Sequence, residues 1–353
     1  MKEILDIAAR FIPDAAACVP LGNGHINTTY LITDKSGAKF TLQKINHKVF
    51  TNVAGLMQNI RLVTEYLNAR EPGSALELVP TLGGDLYTQS EGGFYRVYRY
   101  KEGICPEKAS SPAEMHTCGI AFGEFQEKLK DFDANVLVET IPRFHDSVKR
   151  FHDLERAASE DVCGRFRQVK DEYDFYVQRG PVTGVMLEML AQGRLKKRVT
   201  HNDTKLNNVL LDAVTGRPKC ILDLDTVMPG LAGNDFGDCI RTGASTAEED
   251  EKDLSKVHLD LELYRAFTRG FLSVCGKDLN ADELSTLPMG AILMTYETGA
   301  RFLTDYLQGN IYYHTAYPEH NLVRTRTQIR LIAEMEAHSA EIRSMIEQEA
   351  NAL

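Results

Sequence analysis

Residues 199–211 read VTHNDTKLNNVLL, and residues 220–226 read CILDLDT. The first stretch places an aspartate two residues after a histidine and an asparagine five residues after that aspartate. Its apolar end and the start of the second stretch are typical of short strands, and the turn-forming residues between them predict a hairpin. Because the two open ends of a hairpin converge, we expect Asn208 and Asp223 to lie close together.

This pattern favours phosphoryl transfer over a purely structural role. Transfer from a nucleotide needs a carboxylate that accepts the proton of the acceptor hydroxyl, and it needs oxygen ligands for magnesium. Asp203 suits the first task, whereas Asn208 and Asp223 suit the second. Taken singly, His201 could be a buried core residue and the other three could cap a turn or end a strand. Their ordered combination between apolar runs makes the catalytic interpretation the stronger one.

A second acidic motif lies downstream of the first. Asp235, Phe236 and Gly237 spell the sequence that binds magnesium in protein kinases. The motif lies well beyond Asn208 and follows a Pro-Gly loop, so it does not close the short hairpin. We therefore assign the metal to Asp223, and we expect Asp235 to accept hydrogen bonds from the loop that carries Asp203.

The pattern of apolar residues changes near residue 100. Before that point, β-branched and aromatic residues predict strands at 28–33, 39–45 and 93–100, interrupted by one helix at 53–69. After residue 103 the spacing becomes helical, first at 113–130 and finally, as one helix, at 326–351. We predict an α+β fold with a small β-rich lobe at 1–100 and a larger α-helical lobe at 101–353.

The composition excludes several classes of protein. The 353 residues carry 40 Lys and Arg against 50 Asp and Glu, and the net charge of −10 argues against a nucleic-acid partner. No apolar run approaches the roughly 18 residues of a membrane span, and the N-terminal residues predict an amphipathic helix instead of a signal peptide. The seven scattered cysteines favour buried thiols in a reducing, cytoplasmic location. No protein partner is evident.

A glycine-containing turn lies near the N-terminus. Residues 21–30 read LGNGHINTTY, in which Gly22, Asn23 and Gly24 separate two extended runs. Two glycines at this spacing form an ordinary hairpin turn, or their backbone amides cover nucleotide phosphates. The Asp203 pattern elsewhere in the chain favours a phosphate-binding loop. A Walker-type sequence does not occur, so this nucleotide site would not be of the P-loop kind.

With these residues assembled, the chain resembles the aminoglycoside phosphotransferase and choline kinase superfamily. Six passages carry the resemblance: GHINTTY (24–30), RVTHNDTKLNN (198–208), LDLDT (222–226), DFGDCIRTGAST (235–246), EDEKDLSKVH (249–258) and YPEHNLVRTRTQI (317–329). The last three are also similar to the branch whose members phosphorylate the anomeric hydroxyl of GlcNAc and GalNAc.

The resemblance implies a bilobal protein-kinase-like fold, ATP as phosphoryl donor, Mg²⁺ as cofactor and an N-acetylhexosamine as acceptor. The lobe at 1–100 would bind the nucleotide, and the lobe at 101–353 would be catalytic and bind the sugar. Asp203 would be the general base, with Asn208 and Asp223 holding the metal. The loop from Gly22 to His25 would close on the phosphates and the sugar, and the adenine would contact the backbone near Arg99 and Tyr100. The sugar would be held by His25, Asp203, Thr226, Arg301 and Tyr312.

The resemblance is incomplete at one strand. The superfamily often carries a lysine on the third strand, where it contacts the α- and β-phosphates, and Gln43 occupies that position here. Alternation places the neighbouring Lys44 on the opposite face. Whether Gln43 or Lys44 contacts phosphate stays open at this stage. Glu65 is the only acid of the predicted helix at 53–69, so the usual lysine–glutamate pair is in doubt.

Arg301 and Tyr312, two of the expected sugar-binding residues, could instead serve the structure of the protein. Glu297 and Asp305 each lie four residues from Arg301, which could therefore form an ion pair on a helix surface. Tyr312 lies in an aromatic stretch and could belong to the core.

Two other functions stay open. A cationic acceptor, such as choline or an aminoglycoside, would need extra carboxylates or an aromatic cage. The acids at 248–251 are candidates, although their position predicts the first turn of a helix. A catalytically silent nucleotide-binding module on the same fold is disfavoured, because Asp203, Asn208 and Asp223 are all intact.

Overall fold

The computed structural model describes residues 2–22 and 26–352, and its internal contacts divide the chain into two compact units. The first, which we name the sheet unit, consists of Met1–Cys105, Asn135–Pro142 and Val209–Met228. The second, the helical unit, consists of Pro106–Ala134, Arg143–Asn208 and Pro229–Leu353. Both units thus contain segments from the middle of the chain, whereas the predicted lobes at 1–100 and 101–353 are contiguous. The predicted α+β class is confirmed.

The sheet unit is built on one antiparallel sheet. Its first elements are α1 (Lys2–Ala8), β1 (Ala15–Pro20), β2 (Thr28–Asp34), β3 (Lys39–Ile45), α2 (Val53–Arg70), β4 (Leu78–Val79), β5 (Thr88–Ser90) and β6 (Gly93–Arg99). The strand order is β1-β2-β3-β6-β4, and β5 also pairs with β6. The strands predicted at 28–33, 39–45 and 93–100 and the helix predicted at 53–69 are confirmed to within one residue. Strand β1 was not predicted.

The core of this sheet lies on the face covered by α1. Ile7 and Phe11 pack against Ile32 of β2, Leu42 of β3 and Val97 of β6, and all five side chains are buried. Burial of apolar surface at about 25 cal/mol per Å² is the main stabilising contribution here. The amphipathic helix predicted at the N-terminus is confirmed.

The helical unit contains nine α-helices and the short strand β7 among the described residues. They are α3 (Pro112–Lys128), α4 (Ser147–Glu160), α5 (Lys170–Arg179), α6 (Val185–Ala191), β7 (Arg198–Thr200), α7 (Ala232–Gly243), α8 (Leu261–Cys275), α9 (Ala281–Leu307), α10 (His320–Ala337) and α11 (Ser339–Asn351). Local signals set several helix starts. Ser111 caps α3, whose first residue is a proline, and Asn280 and Glu283 form a reciprocal capping box at the start of α9.

The long helix α9 is surrounded by other elements of the helical unit. Tyr296, Ala300 and Leu303 of α9 share one buried cluster with Tyr176 of α5 and Ile332 of α10. The rings of Tyr176 and Tyr296 meet edge to face, with centroids 5.0 Å apart. This packing makes α9 the scaffold on which the other helices of the unit are held.

The predicted hairpin is present. Strands β8 (Val209–Leu211) and β9 (Pro218–Ile221) are antiparallel, with Val209 opposite Ile221, and β10 (Met228–Gly230) follows. Asn59 of α2 holds two later segments, Asn135–Pro142 and Val209–Met228, in the sheet unit. Its amide nitrogen donates to the carbonyls of Val138 (2.8 Å) and Val227 (3.0 Å), and its oxygen accepts from the Val138 N–H (3.0 Å).

Two predictions about the helical unit are wrong. The helix predicted at 326–351 is two helices, because α10 ends at Ala337 and α11 begins at Ser339. The acids at 248–251 do not begin a helix. Instead, Glu249 accepts a hydrogen bond from Arg241 (2.8 Å) and Asp250 contacts His320 (3.0 Å), so tertiary contacts decide the conformation there.

The cysteines are not all buried, in contrast to the prediction of buried thiols. All seven cysteines are free thiols; five are buried, but Cys105 is half-buried and Cys163 is exposed. Within residues 2–22 and 26–352, no helix combines the length and apolar character needed to cross a membrane.

Candidate active site

The loop that carries Asp203 follows β7 in the helical unit. His201 is fully buried, and its ring meets the edges of Phe122 and Phe125 at centroid distances of 5.9 and 6.0 Å. Asn202 adopts a left-handed backbone with φ = +63°, which asparagine tolerates better than most residues. The Asp203 N–H donates to His201 Nδ1 at 3.3 Å. His201 is therefore a core residue that anchors the loop.

Asp235, near the start of α7, also holds this loop. One carboxylate oxygen accepts hydrogen bonds from the His201 N–H (2.9 Å) and the Gln126 side chain (2.7 Å), and the other accepts from the Asn202 N–H (2.8 Å). Burial raises the pKa of Asp235 above its usual range, and the N–H donors oppose that rise. The prediction that Asp235 accepts hydrogen bonds from the loop is confirmed.

The other two residues of this motif are required by packing. The ring of Phe236 contacts those of Tyr264 and Phe267 at centroid distances of 6.0 and 5.5 Å. Gly237 faces α9, where a Cβ would lie 2.3 Å from the carbonyl oxygen of Gly290. Only glycine permits so close an approach of two helix backbones. The D-F-G sequence is thus explained without a metal.

We expect Asp235→Asn to lower the free energy of unfolding by about 1–3 kcal/mol, because a carboxamide would turn an NH₂ group toward N–H donors that need an acceptor. Urea denaturation measures this loss. Asp282→Asn is a matched control, since it alters an exposed ion pair with Arg194 in the same unit and should change stability far less than Asp235→Asn. Equal losses in the two variants would contradict the anchoring role.

Asp203, Lys205 and Asn208 form a compact cluster. Lys205 Nζ lies 2.9 Å from Asp203 Oδ1. Asn208 Nδ2 donates to the Asp203 backbone carbonyl at 2.8 Å and lies 3.4 Å from Asp203 Oδ2. Burial is the largest single influence and would raise the pKa of Asp203, but the charge and hydrogen bond of Lys205, together with His201 and Arg241, outweigh burial and the pKa lies below its ordinary value. Asp203 is therefore a carboxylate at neutral pH, and it raises the pKa of Lys205 in return.

Sequence reasoning did not single out Lys205. The available signal was its position two residues after Asp203, where a lysine places a positive charge beside the aspartate carboxylate. Asn208 ends a short 3₁₀ turn, Leu206–Asn208, and uses its amide nitrogen toward Asp203. This orients the carboxamide oxygen of Asn208 as the atom suited to a metal.

Asp223 lies in the sheet unit, after β9. Its backbone is left-handed (φ = 53°, ψ = 61°), its side chain is exposed, and it directly precedes the turn Leu224–Thr226, in which Thr226 is buried. The structure places the two predicted metal ligands in different units, with Asn208 in the helical one. Among the described residues, no group of three or more His, Cys, Asp or Glu side chains is arranged as a metal site. One amide and one carboxylate fit Mg²⁺ when substrate phosphates supply the other ligands.

Asp225 is the buried acid of the same turn, and it is paired with an arginine. Its carboxylate lies 2.5 Å from Arg96 Nη1 and accepts a hydrogen bond from Asn27 Nδ2 at 2.5 Å. The Arg96 and Asp225 side chains are 1% and 3% exposed. The Thr140 hydroxyl donates to the Asp225 carbonyl at 3.3 Å. These contacts fix the turn that carries Asp223, and sequence reasoning identified neither Arg96 nor Asp225 as part of the site.

The same arginine explains why the expected lysine is absent. Gln43 lies opposite Arg96 in the sheet, and its Oε1 accepts from Arg96 Nε (3.0 Å) and Nη2 (2.8 Å). Gln43 Nε2 donates to the Thr29 hydroxyl at 3.2 Å. Burial opposes the charge of Arg96, but Asp225, with smaller contributions from Tyr98 and Asp223, outweighs burial and raises the arginine pKa. Arg96 of β6 is thus the cation beside Gln43, and it lies within a buried network with Asp225.

Lys44 and Glu65 do not replace the usual pair. Lys44 lies opposite Tyr95 in the sheet, one position away from the Gln43–Arg96 pair. Glu65 forms an exposed ion pair with Arg61 at 3.0 Å, one turn away on α2. The doubt about a lysine–glutamate pair is therefore justified.

The predicted phosphate loop is only partly described. Gly22 has φ = +69°, the left-handed conformation that favours glycine, and the Leu21 N–H donates to the Thr29 carbonyl at 2.9 Å beside β1 and β2. Asn23, Gly24 and His25 lie outside the described residues. The strands on either side form the hairpin that both interpretations of this turn require.

The backbone amides of the predicted adenine contacts are engaged in the sheet unit. The Arg99 N–H donates to the Glu77 carbonyl at 2.9 Å, and the Tyr100 N–H donates to the Lys39 carbonyl at 3.2 Å. A contact of adenine with this segment would therefore use other backbone groups of residues 99–102.

Arg301 and Tyr312 lie together in the helical unit. The Arg301 guanidinium lies 5.8, 5.7 and 5.5 Å from the ring centroids of Phe144, Tyr312 and Tyr313. Tyr312 is 64% exposed, so the interpretation of this residue as part of the core is wrong. A cation beside an exposed aromatic ring, here that of Tyr312, is a suitable surface for a sugar ring.

The surface ion pair considered for Arg301 is also wrong. Asp305 is buried, and its carboxylate accepts from the N–H groups of Ile311 (2.9 Å) and Tyr312 (2.8 Å), which fixes the turn after α9. Glu297 is buried as well, and its carboxylate faces His145. Neither acid is therefore a surface partner of Arg301.

A family model described as the APH phosphotransferase enzyme family matches residues 17–270. The chain belongs to this family. The solved structure of an aminoglycoside phosphotransferase from Alicyclobacillus acidocaldarius is similar over 97% of this chain and 96% of that chain, with a TM-score of 0.66 and 13% identity.

Two further solved structures show the same fold. A microcompartment-associated aminopropanol kinase is similar over 97% of this chain and 98% of that one (TM-score 0.62, 15% identity). An amicoumacin kinase in complex with AMP-PNP, Ca²⁺ and its ligand is similar over 93% and 92% (TM-score 0.62, 18% identity). The predicted protein-kinase-like fold is confirmed.

Proposed function

We propose that the protein is an N-acetylhexosamine 1-kinase, which transfers the γ-phosphoryl group of ATP to the anomeric hydroxyl of GlcNAc or GalNAc. One observation carries the proposal: Asp203 is a carboxylate with a lowered pKa, held beside Lys205 and Asn208 in the loop after β7. In a phosphotransferase such a carboxylate is suited to accept the proton of the attacking hydroxyl.

In this mechanism Asp203 orients the anomeric hydroxyl and takes its proton while the oxygen attacks the γ-phosphorus in line. Lys205 stabilises negative charge on the transferred group, and ADP leaves. Mg²⁺ bound by Asn208 and Asp223 would neutralise charge on the nucleotide phosphates. Positioning and charge stabilisation then provide most of the acceleration.

The acceptor is proposed from the three most specific passages, which contact one another in the helical unit. Arg241 pairs with Glu249 at 2.8 Å, and the Thr327 hydroxyl donates to the Glu249 carbonyl at 2.7 Å. His320 contacts Asp250 at 3.0 Å. A cavity of about 180 Å³ is lined by residues of all three passages and by Lys205. This arrangement supports a shared role of these passages near the predicted base.

The remaining ligand contacts are proposed from the resemblance. The sugar would contact His25, Thr226, Arg301 and Tyr312, and the closeness of Arg301 to the exposed Tyr312 supports the last two. Gly22, Asn23 and Gly24 would cover the phosphates, with the nucleotide bound mainly by residues 1–100. The cytoplasmic location and the absence of nucleic-acid and protein partners stay predictions.

A cationic acceptor is the second candidate. A kinase of aminopropanol, which is an amino alcohol, shares the fold, and this observation favours testing such acceptors. The acids at 248–251 are poor candidates for a cation site, because Glu249 and Asp250 already contact Arg241 and His320. We therefore place the sugar first.

We expect ADP release with GlcNAc and GalNAc, and little with galactose or choline, when each is incubated with the protein, ATP and Mg²⁺. Phosphorus–proton coupled NMR identifies the phosphorylated carbon, which should be the anomeric one. Equal rates with galactose would show that the N-acetyl group is not required. ADP release with choline alone would show that the acceptor is cationic and not a sugar.

A further inference from the structure

The side chain of His145 is largely buried, and its two ring nitrogens both face hydrogen-bond acceptors. Nδ1 lies 3.2 Å from Glu297 Oε1, and Nε2 lies 3.1 Å from the backbone carbonyl oxygen of Asn202. The His145 and Glu297 side chains are 9% and 1% exposed. A neutral imidazole has one N–H group, so one of the two contacts would join two acceptors. The imidazolium ion donates to both.

The charges around the ring favour this ion. Glu297 of α9 faces the ring directly, and Asp238 of α7 adds a second negative charge. Two cations lie beside Glu297: Arg150 of α4, with Nε 3.9 Å from the carboxylate, and Arg301 of α9. Burial is the largest single influence and lowers the pKa of His145, but Glu297, Asp238 and the Asn202 carbonyl together outweigh burial and the pKa lies above its ordinary value of 6.5.

The carbonyl that His145 contacts belongs to the peptide that leads into Asp203. On the other side of the same peptide plane, the Asp203 N–H donates to His201 Nδ1. The Asn202 N–H is held by Asp235, and the backbone of Asn202 is left-handed. Two imidazole rings therefore fix one peptide plane, and the orientation of that plane determines where the Asp203 carboxylate lies.

We propose that His145 is a positioning residue which, as an imidazolium ion bridging Glu297 and the Asn202 carbonyl, holds the loop and orients Asp203 for proton transfer. This inference rests on the proposed function in one respect, the role of Asp203 as base. When His145 loses its proton, one ring nitrogen becomes an acceptor that faces another acceptor, and the loop loses a support. Activity should therefore fall as the pH rises through the pKa of His145 in the folded protein.

The protonation state is measured without substrate. Long-range ¹H–¹⁵N correlation spectra of the full-length protein with ¹⁵N-labelled histidine follow both ring nitrogens as the pH is changed, and His145 is assigned from its missing signals in His145→Gln. We expect both nitrogens to be protonated at low pH, with a titration midpoint above about 6.5. A midpoint at or below that value would overturn the proposal.

The positioning role is measured with variants. His145→Gln should lower kcat about 10- to 100-fold with little change in the KM for ATP, because a displaced base impairs chemistry more than binding. Glu297→Gln should move the basic limb of kcat to lower pH by about one to three units, since it removes the facing negative charge. His152→Gln is the matched control, because its ring contacts Glu155 on the exposed surface of α4, which begins two residues after His145, and it should keep the wild-type profile.

Hydrogen–deuterium exchange of residues 199–208 separates this inference from the proposed function. Exchange should be faster in His145→Gln than in the wild type and the His152→Gln control. If no acceptor is phosphorylated, the proposed function fails, whereas the titration and the exchange still test His145. If His145→Gln does not fold, the titration midpoint of His145 in the wild type and the pH profile of Glu297→Gln test the proposal instead. Wild-type kcat, pH profile and exchange in a folded His145→Gln would overturn the positioning role.

Discussion

Asp203→Asn is expected to lower kcat by about 10²- to 10⁴-fold, the usual contribution of a general base. The carboxamide has nearly the same size as the carboxylate, but it cannot take the proton of the acceptor hydroxyl. The contact of Asn208 Nδ2 with the Asp203 backbone carbonyl does not depend on the carboxylate, so the loop should keep its conformation. Nucleotide binding and the temperature of unfolding should therefore change little. Steady-state kinetics under saturating substrate measure kcat, and calorimetric ATP titration measures nucleotide binding.

Asp174→Asn provides the matched control for this substitution. Asp174 is also an aspartate paired with a lysine, Lys170, but the pair lies on the exposed surface of α5. Its activity should equal that of the wild type. If Asp203→Asn retained more than about a tenth of the wild-type kcat, Asp203 would not be the base and the mechanism would be wrong.

Arg96→Met is expected to lower the free energy of unfolding by about 3–5 kcal/mol, because it leaves the buried Asp225 carboxylate without its cation. Gln43 would lose the same partner, since its carboxamide oxygen accepts two hydrogen bonds from the Arg96 guanidinium. Urea denaturation followed by far-UV circular dichroism measures the loss. The turn Leu224–Thr226 should also become less ordered, and weaker Mg²⁺ binding to the ATP complex would report a disturbed Asp223.

A matched substitution in the same unit separates this effect from a general effect of losing an arginine. Arg61→Met removes the cation of the exposed pair with Glu65 and should cost less than about 0.5 kcal/mol. The double variant Arg96→Met/Asp225→Leu should recover part of the loss of Arg96→Met, since it leaves no uncompensated buried charge. Equal losses for Arg96→Met and Arg61→Met would contradict the structural role of the buried pair.

Short-range patterns predicted β2, β3 and β6, the helix α2 and the hairpin of β8 and β9. Strand β3 was predicted with its observed bounds, and the hairpin of β8 and β9 nearly so, because alternation and turn residues act over a few neighbours. Strand β1 was missed, since its sequence AAACVP lacks the β-branched and aromatic residues typical of strands. The helix predicted at 326–351 was extended too far because the apolar spacing continues across His338, where α10 ends.

Part of the site followed from the sequence in the same way. The structural role of Asp235 was inferred from its distance along the chain, and the hydrogen bonds to His201 and Asn202 confirm it. Lys205 could have been found beside the predicted base. The role of Gln43 could not be found, because it depends on the residue opposite it in the sheet, which is Arg96.

The order of a few residues in the chain was thus sufficient to find the loop of Asp203, the hairpin that follows it in the sequence and the family resemblance. The charges that support this loop and the turn of Asp223 were not predictable in that way. Arg96 meets Asp225, and His145 meets Glu297, only because segments distant in the chain pack together. Their interactions become strong where burial excludes water and lowers the effective dielectric constant, a condition that exists only in the folded protein.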